Sequence, residues 1–308
     1  MSWKKQGLVF SPPFDGSWRD NSALTPTPIL LNSETIRVFA SFRDVSGTGR
    51  IGYVDLDAEN PTKIIKVSRE PVLDIGANGM FDDNGIILGD VIRFRGQIYM
   101  YYIGFQIVKK AKFMAFTGLA ISEDNGDSFR RFSETPIMDR SDEGTFIRAI
   151  HSVIHEENKF KIWYATGQDW QRIQDVPYPK YDISYLESND GLTFEKKGQK
   201  CLTVNSLNQE YRIGRPRVYK DDDNYVMNFT YGTTDGKYLA GQAMSTDGVN
   251  WTRGDKTFGI QPSQFGWDSK HLCYPAILKL NNKKYMFYNG NNKGKDGFGL
   301  AISEGIKN

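Results

Sequence analysis

The chain has 308 residues, with 39 Lys and Arg against 37 Asp and Glu, and the formal charge of +2 supplies no overall pull toward nucleic acid or a membrane surface. Mean hydropathy is −0.51 and no apolar run reaches the roughly 20 residues of a membrane-spanning helix, so a soluble chain is expected. Two cysteines, Cys201 and Cys273, are too few for a disulfide framework, and no Cys/His cluster suggests zinc; the expectation is a reducing cytoplasm, no metal and no other cofactor.

Aromatic residues make up 13% of the chain and 30 residues are glycine, a mixture that favours strands and tight turns. The first residues, Met1 to Gly7, are basic but are followed by no apolar segment of the kind a secretory signal carries. In chain order, Gly7 to Pro12 reads as a strand, and Pro28 to Leu31 as a second, followed by Ile36 to Ala40. The same succession of two apolar runs recurs four times. Asp90 to Arg93 precedes Gln97 to Gly104, Ser152 to Ile154 precedes Phe160 to Ala165, Pro216 to Tyr219 precedes Tyr225 to Phe229, and Pro275 to Leu278 precedes Lys284 to Gly290. Short, nearly continuous runs of β-branched and aromatic residues are what strands covered on both faces require.

A turn follows each of the later pairs. Ser122-Glu123-Asp124-Asn125-Gly126-Asp127-Ser128-Phe129 recurs as Ser188-Asn189-Asp190-Gly191-Leu192-Thr193-Phe194 and as Ser245-Thr246-Asp247-Gly248-Val249-Asn250-Trp251, and a truncated copy begins at Ser303-Glu304-Gly305. The serines are 66, 57 and 58 residues apart, close to the size of a four-stranded propeller blade with long loops. Asp and Gly suit the turn positions, Ser and Asp can bond loop amides, and the closing aromatic is placed to pack between blades. The repeats predict an all-β fold over residues 1–308: one five-bladed β-propeller of four-stranded blades. The last blade runs out after Gly299 to Ser303, so the N-terminal strand is expected to supply its outer strand and close the ring.

In a propeller the loops that lead into the innermost strands converge on one mouth. Asp20, Asp83, Glu143, Glu210 and Asp268 lie six to nine residues before the inner-strand anchors Pro28, Asp90, Ser152, Pro216 and Pro275. Carboxylates around a common axis suit glycoside hydrolysis, which uses one acid on the leaving oxygen and a second to activate water or attack the anomeric carbon. The alternative is that these acids cap loops. Basic residues share the segments: Arg148 and His151, then Arg212, Arg215 and Arg217, then Lys270 and His271. Arg215 and Arg217 are expected on one face, with Arg212 in the preceding loop, and such a group could hold a carboxylate or phosphate or instead pair with the acids. Trp267 and Tyr274 could stack on a sugar ring or pack in the core.

The segment from Trp267-Asp268-Ser269 through Tyr274-Pro275-Ala276-Ile277 and Tyr285-Met286-Phe287-Tyr288-Asn289-Gly290 to Gly299-Leu300-Ala301-Ile302-Ser303 resembles a blade of the five-bladed propeller glycosidases. That superfamily holds the arabinanases, xylosidases, invertase-like enzymes and β-mannoside phosphorylases, and the likeness extends along the chain through its repeats. The resemblance implies an Asp base in the first blade, a supporting Asp in the second or third and a Glu acid in a later one. Here Thr27-Pro28 stands where arabinanase-like enzymes have Asp-Pro, which leaves Asp20 as a displaced substitute. Gly214-Arg215 replaces the acidic pair of the phosphorylases' Glu-Asp-Pro-Arg segment. The expected catalytic acids are therefore Asp90, Glu210 and Asp20, and the expected substrate-binding residues are Asp83, Arg148, His151, Arg212, Arg215, Trp267, Asp268, His271 and Tyr274. The expected function is a carbohydrate-active enzyme, a glycoside hydrolase on a small or anionic glycan. The alternatives are a noncatalytic glycan-binding propeller and a phosphorylase whose phosphate sits on the arginines. A small-molecule or oligosaccharide ligand is the expected partner, with neither nucleic acid nor membrane.

Overall fold

A computed structural model describes residues 2–255 and 258–304, so Gly305 of the truncated turn lies outside the described residues. The described chain is all-β. One four-stranded antiparallel sheet comprises β2 (Asn21–Asn32), β3 (Thr35–Arg43), β4 (Gly49–Asp57) and β5 (Ile64–Val67). The next eight strands form one sheet in two antiparallel halves. The first half is β6 (Ile86–Phe94), β7 (Gln97–Gln106), β8 (Met114–Ser122) and β9 (Arg130–Arg131). The second is β10 (Ile147–Glu156), β11 (Lys159–Ile173), β12 (Val176–Ser188) and β13 (Gln199–Leu202). A short parallel pairing of β10 with β8, at Ile147 with Ala115 and Arg148 with Phe116, joins the halves. A third sheet contains β14 (Glu210–Asp221), β15 (Asn224–Thr233), β16 (Tyr238–Ser245) and β17 (Thr252–Arg253). The last runs through β18 (Cys273–Leu280), β19 (Lys283–Asn289) and β20 (Phe298–Glu304) to β1 (Lys4–Phe10), which pairs antiparallel with β20.

The first strands of these units touch in sequence: β2 meets β6, β6 meets β10, β10 meets β14, β14 meets β18, and β18 meets β2. Apolar residues fill the spaces between consecutive units, as expected for strands buried on both faces. Phe39 and Tyr53 pack with Met100 and Phe116, Tyr101 with Phe160 and Tyr164, Trp163 with Met227 and Phe229, and Phe42 with Phe287 and Phe298.

The repeated turn fastens one unit to the next. In each copy the serine hydroxyl donates to the Asp two residues on and accepts from the glycine amide: Ser122 with Asp124 and Gly126, Ser188 with Asp190 and Gly191, Ser245 with Asp247 and Gly248. The glycines take φ of 90°, 70° and 77°, which a side chain would disfavour. The turn then accepts a donor from the second strand of the preceding unit. Arg37 donates to the Asn125 carbonyl, Tyr101 to the Gly191 carbonyl and Trp163 to the Gly248 carbonyl, while Phe129 and Trp251 pack on Phe39 and Trp163.

Each first strand is also interrupted at the same level. The pairing register slips between Leu24 and Thr27, Leu88 and Asp90, Ile150 and Ser152, Gly214 and Arg217, and Cys273 and Ala276. Such bulges re-aim side chains and tolerate proline, which has no amide hydrogen to donate. The slips align Thr25, Gly89, His151, Arg215 and Tyr274 with one another, and Pro26 with Asp90, Ser152, Pro216 and Pro275. The first anchor expected from the sequence, Pro28, is thus two residues late: the register makes Pro26 the counterpart of the other four. Thr25, Arg215 and Tyr274 hold φ of 54°, 54° and 55°, a left-handed conformation uncommon outside glycine and typical of functional sites.

Candidate functional site

Thr25, Gly89, His151, Arg215 and Tyr274, one from each first strand, line a single cavity together with Pro26, Thr27 and Arg217. A second cavity of about 180 Å³ lies farther along the same strands, bordered by Pro28, Asp90, Ser152, Val218 and Ile277. Arg217 borders both. Its Nη1 donates to Asp90 Oδ1 at 2.6 Å and to the carbonyls of Gly89 and His151 at 3.0 and 3.1 Å, so this guanidinium ties three first strands together. Asp90 also accepts the amides of Val91 and Val153, each at 2.7 Å. Burial pushes its carboxyl above the ordinary aspartate range, against the opposing pull of Arg217 and the two amides.

His151 is buried, and that burial, reinforced by Arg215 and Arg217, lowers its pKa well below the usual value. The ring is therefore neutral, free to accept through Nδ1 from Arg215 Nη1 at 3.3 Å. The same Nη1 donates to the Leu88 carbonyl at 2.9 Å, and the guanidinium stands 5.6 Å from the centroid of Tyr274.

A tyrosine wall continues from this floor. Arg212 lies within β14, not in the loop before it, with its guanidinium 4.8 Å from the Tyr238 ring, 4.9 Å from Tyr211 and 5.9 Å from Tyr181. Lys293 Nζ approaches the same Tyr238 ring at 5.2 Å, and Lys112 Nζ lies 5.8 Å from Tyr178. Two glycines on paired strands make the room: a Cβ at Gly214 would come within 2.6 Å of Tyr181, and one at Gly232 within 2.8 Å of Arg212 Nε. Among the described residues, no ion pair joins Arg43, Lys112, Arg212, Arg215 or Lys293 to a carboxylate. Their mutual repulsion is visible at Lys293, whose pKa is lowered first by burial and then by Arg212, Lys112 and Arg43.

His151, Arg215 and Tyr274 thus line one cavity, Asp90 borders the second and is tied to the first through Arg217, and Arg212 lies in the adjoining wall. The other nominated residues stand elsewhere. Glu210 is buried, accepts the Asn205 amide, and holds Arg253 through two 2.9 Å bonds. Asp268 is bonded to Lys5 at 2.6 Å and to the Tyr288 hydroxyl, and Trp267 packs on Tyr288 beneath Gly290 and Gly299. Arg148 pairs with Glu143, which also accepts from Tyr164 and from the Gly198 amide. Asp20 and Asp83 accept the amides of Gly16 and Gly79 in local turns. His271 faces Lys293 electrostatically, and its Nδ1 is buried without a hydrogen-bond partner. Sequence reasoning passed over Lys293, Lys112 and the four tyrosines 178, 181, 211 and 238. It also passed over Asp82, the fully buried neighbour of Asp83, which binds Tyr102 and Arg131. Among the described residues no group of three His, Cys, Asp or Glu is placed to hold a metal ion, and no helix is long and apolar enough to cross a membrane.

The architecture is that of the propeller glycoside hydrolases and mannoside phosphorylases. A solved structure of the BT0996 RGII complex superposes with a TM-score of 0.77 at 19% identity, covering 98% of this chain and 92% of the other. A structure from the GH130 family of mannoside phosphorylases, which contains glycoside hydrolases that target β-1,2-mannosidic linkages in Candida mannan, gives 0.71 at 14% identity over 98% and 94%. The resemblance drawn from the sequence therefore holds at the level of fold. By sequence, the chain belongs to the same family as the uncharacterized protein Rv1502 of Mycobacterium tuberculosis, with 30% identity over 99% of this chain and 100% of that one. The β-1,2-mannobiose phosphorylase of Thermoanaerobacter sp. is 28% identical over 44% of this chain and 45% of its own length. No family model matches.

Proposed function

We propose that this chain is a carbohydrate-active protein that recognises an anionic sugar at the mouth of a single five-bladed propeller, with β1 closing the ring. The cyclic contacts of the five first strands and the pairing of β1 with β20 support the architecture. The observation that carries the function is Arg215: a guanidinium on the cavity wall, beside a neutral histidine and a tyrosine, with no carboxylate to neutralise it. An acidic sugar or a sugar phosphate supplies the missing charge, and a forked guanidinium suits either group. A hydrolytic pair of Asp90 and Glu210 finds no support in this geometry, because Glu210 borders neither of the two cavities and is held by Arg253.

A second reading, phosphorolysis, is favoured by Asp90, the lone acid on the cavity walls, and by the similarity to a mannobiose phosphorylase. Phosphate is itself the nucleophile in that reaction, so one acid suffices. A phosphate oxygen bonds to the anomeric carbon, the glycosidic C–O bond breaks, and the carboxyl proton of Asp90 passes to the leaving oxygen. The raised pKa of Asp90 suits a proton donor.

Calorimetric titration of the full chain with glucuronate, a sugar 1-phosphate and the neutral sugar tests the first reading. Arg215→Ala is expected to weaken the charged ligands by about 1.5–3 kcal/mol, roughly 10- to 150-fold, and Arg215→Lys to restore only part. Equal losses on the neutral sugar would show that Arg215 supports structure alone. Turnover that appears only with added phosphate, and vanishes in Asp90→Asn, selects the phosphorolytic reading.

A further inference from the structure

The cations at the mouth divide into two groups that share the tyrosine wall but have different partners. Arg215 and Arg217 on the floor spend donors on strand carbonyls and His151. Arg212 and Lys293 on the rim have no such bonds; both lie near one ring, Tyr238, at 4.8 and 5.2 Å from its centroid. Arg212 Nε is buried and without an acceptor, a condition native structures rarely leave uncompensated. Lys293 is held there at some conformational cost, since it and Asn292 are consecutive left-handed residues with φ of 57° and 55°. Lys112 and Arg43 add positive potential at Lys293.

We propose that the rim is a second anion subsite, built by Arg212 and Lys293 beside Tyr238, and that it takes a phosphoryl group attached to the sugar. This rests on the reading of the mouth as a glycan site and names the class of glycan. A carboxylate presents two coplanar oxygens, which one guanidinium fork satisfies. A phosphoryl group presents oxygens in three dimensions and carries up to two charges, so it can engage a fork and a separate ammonium at once, with further cations around it. The rim offers that combination. Tyr238 is buried, and the absence of a side chain at Gly232 leaves room for Arg212, whose Nε a Cβ there would approach within 2.8 Å.

The test compares glucuronate, a sugar 1-phosphate and a nucleoside-diphosphate sugar by calorimetry at constant ionic strength, on the wild type, Arg212→Met, Lys293→Met and Arg215→Ala. Both rim variants are expected to weaken the phosphorylated ligands at least tenfold and glucuronate less than threefold, whereas Arg215→Ala weakens all three. Preference for the sugar 1-phosphate assigns a monoester, and preference for the nucleoside-diphosphate sugar a diester. Equal losses on glucuronate and the sugar 1-phosphate in the rim variants overturn the subsite while leaving the glycan reading intact. Failure of Arg215→Ala to change any ligand overturns the reading beneath it. Absence of binding by both phosphorylated ligands at millimolar concentration overturns the subsite. Lys293→Met, in a turn outside the sheets, keeps the comparison informative if Arg212→Met folds poorly.

Discussion

Arg37 and Arg212 are both arginines laid against tyrosine rings, one between two sheets and one at the mouth, and they differ in what meets the charge. Arg37 lies 3.5 Å above Tyr53, makes two bonds of 2.7 and 2.9 Å to Asp55, and reaches Asp127 of the next unit at 2.9 Å. Its charge is spent inside the protein. Arg212 has three tyrosines and no carboxylate. The fold thus keeps two stocks of buried cation: paired ones between the units, and ones without a carboxylate partner among the described residues, on which the proposed anion site rests. Glu210 with Arg253, Glu143 with Arg148 and Asp82 with Arg131 belong to the first stock. Of the acids that precede the strand anchors, Glu143 and Glu210 are partners of arginines, Asp268 is the partner of Lys5, and Asp20 and Asp83 hold turn amides.

The largest expected effect tests the paired stock. Arg37→Ala leaves Asp55 buried without its partner and is expected to cost about 3–5 kcal/mol in urea denaturation. Replacing both residues with apolar side chains of similar volume should recover most of that loss. A cost below about 1 kcal/mol for the single variant would mean that the pair locks nothing. Glu210→Gln is expected to come next, at about 1.5–3 kcal/mol, since Arg253 loses one charged acceptor but retains Asp255. Loss of turnover with unchanged stability would instead return Glu210 to the catalytic machinery.

The fold was legible because strand and turn signals are local. A β-branched and aromatic run, and a Ser-x-Asp-Gly turn, announce themselves within eight residues. The bulges do not. Thr25-Pro26-Thr27-Pro28 contains the same dipeptide twice, and only the slip between Leu24 and Thr27 decides which one faces the axis. Of the nominated residues, Asp90, His151, Arg215 and Tyr274 border the two cavities because they sit on or beside the strand anchors. The roles of Glu210 and Asp268 were not legible, since their partners lie 43 and 263 residues away. Lys293 was hidden for a different reason: it lies among asparagines and glycines that read as loop, and nothing local indicates that the loop turns inward.

A smaller effect separates the turns from both stocks of cation. Hydrogen bonds from Ser188 and the amides of Leu192 and Thr193 hold the Asp190 carboxyl down at about 2 against the cost of its burial, and Asp124 is likewise lowered to about 2. Folded values below the unfolded one mean that the stability these groups contribute is present above the ordinary aspartate range and is lost as pH falls toward 2. Asp190→Ala is expected to cost about 1 kcal/mol at neutral pH, as for a lost capping carboxylate, and to flatten the acid limb of the stability curve. An unchanged acid limb would place the pH sensitivity elsewhere.

The smallest expected effect is the most telling, because it asks what the unpaired stock contributes to the empty protein. Arg212→Met removes the favourable contacts of a guanidinium with three rings, each worth about 0.5–1 kcal/mol when partly exposed. It also removes a desolvated charge and an unsatisfied buried donor, whose penalty is about 1–3 kcal/mol, and leaves an unbranched apolar chain on the same tyrosines. The two sets of terms are of similar size and opposite sign. Stability without ligand is therefore expected to stay within about 1 kcal/mol of the wild type, a shift of at most roughly 2 °C in Tm in either direction. The same substitution at Arg37 should cost several times more, although both side chains lie on tyrosine. If Arg212→Met destabilises the empty protein as much as the Arg37 variant does, Arg212 is a structural cation whose partner is the tyrosine wall itself, and the difference between the two arginines disappears.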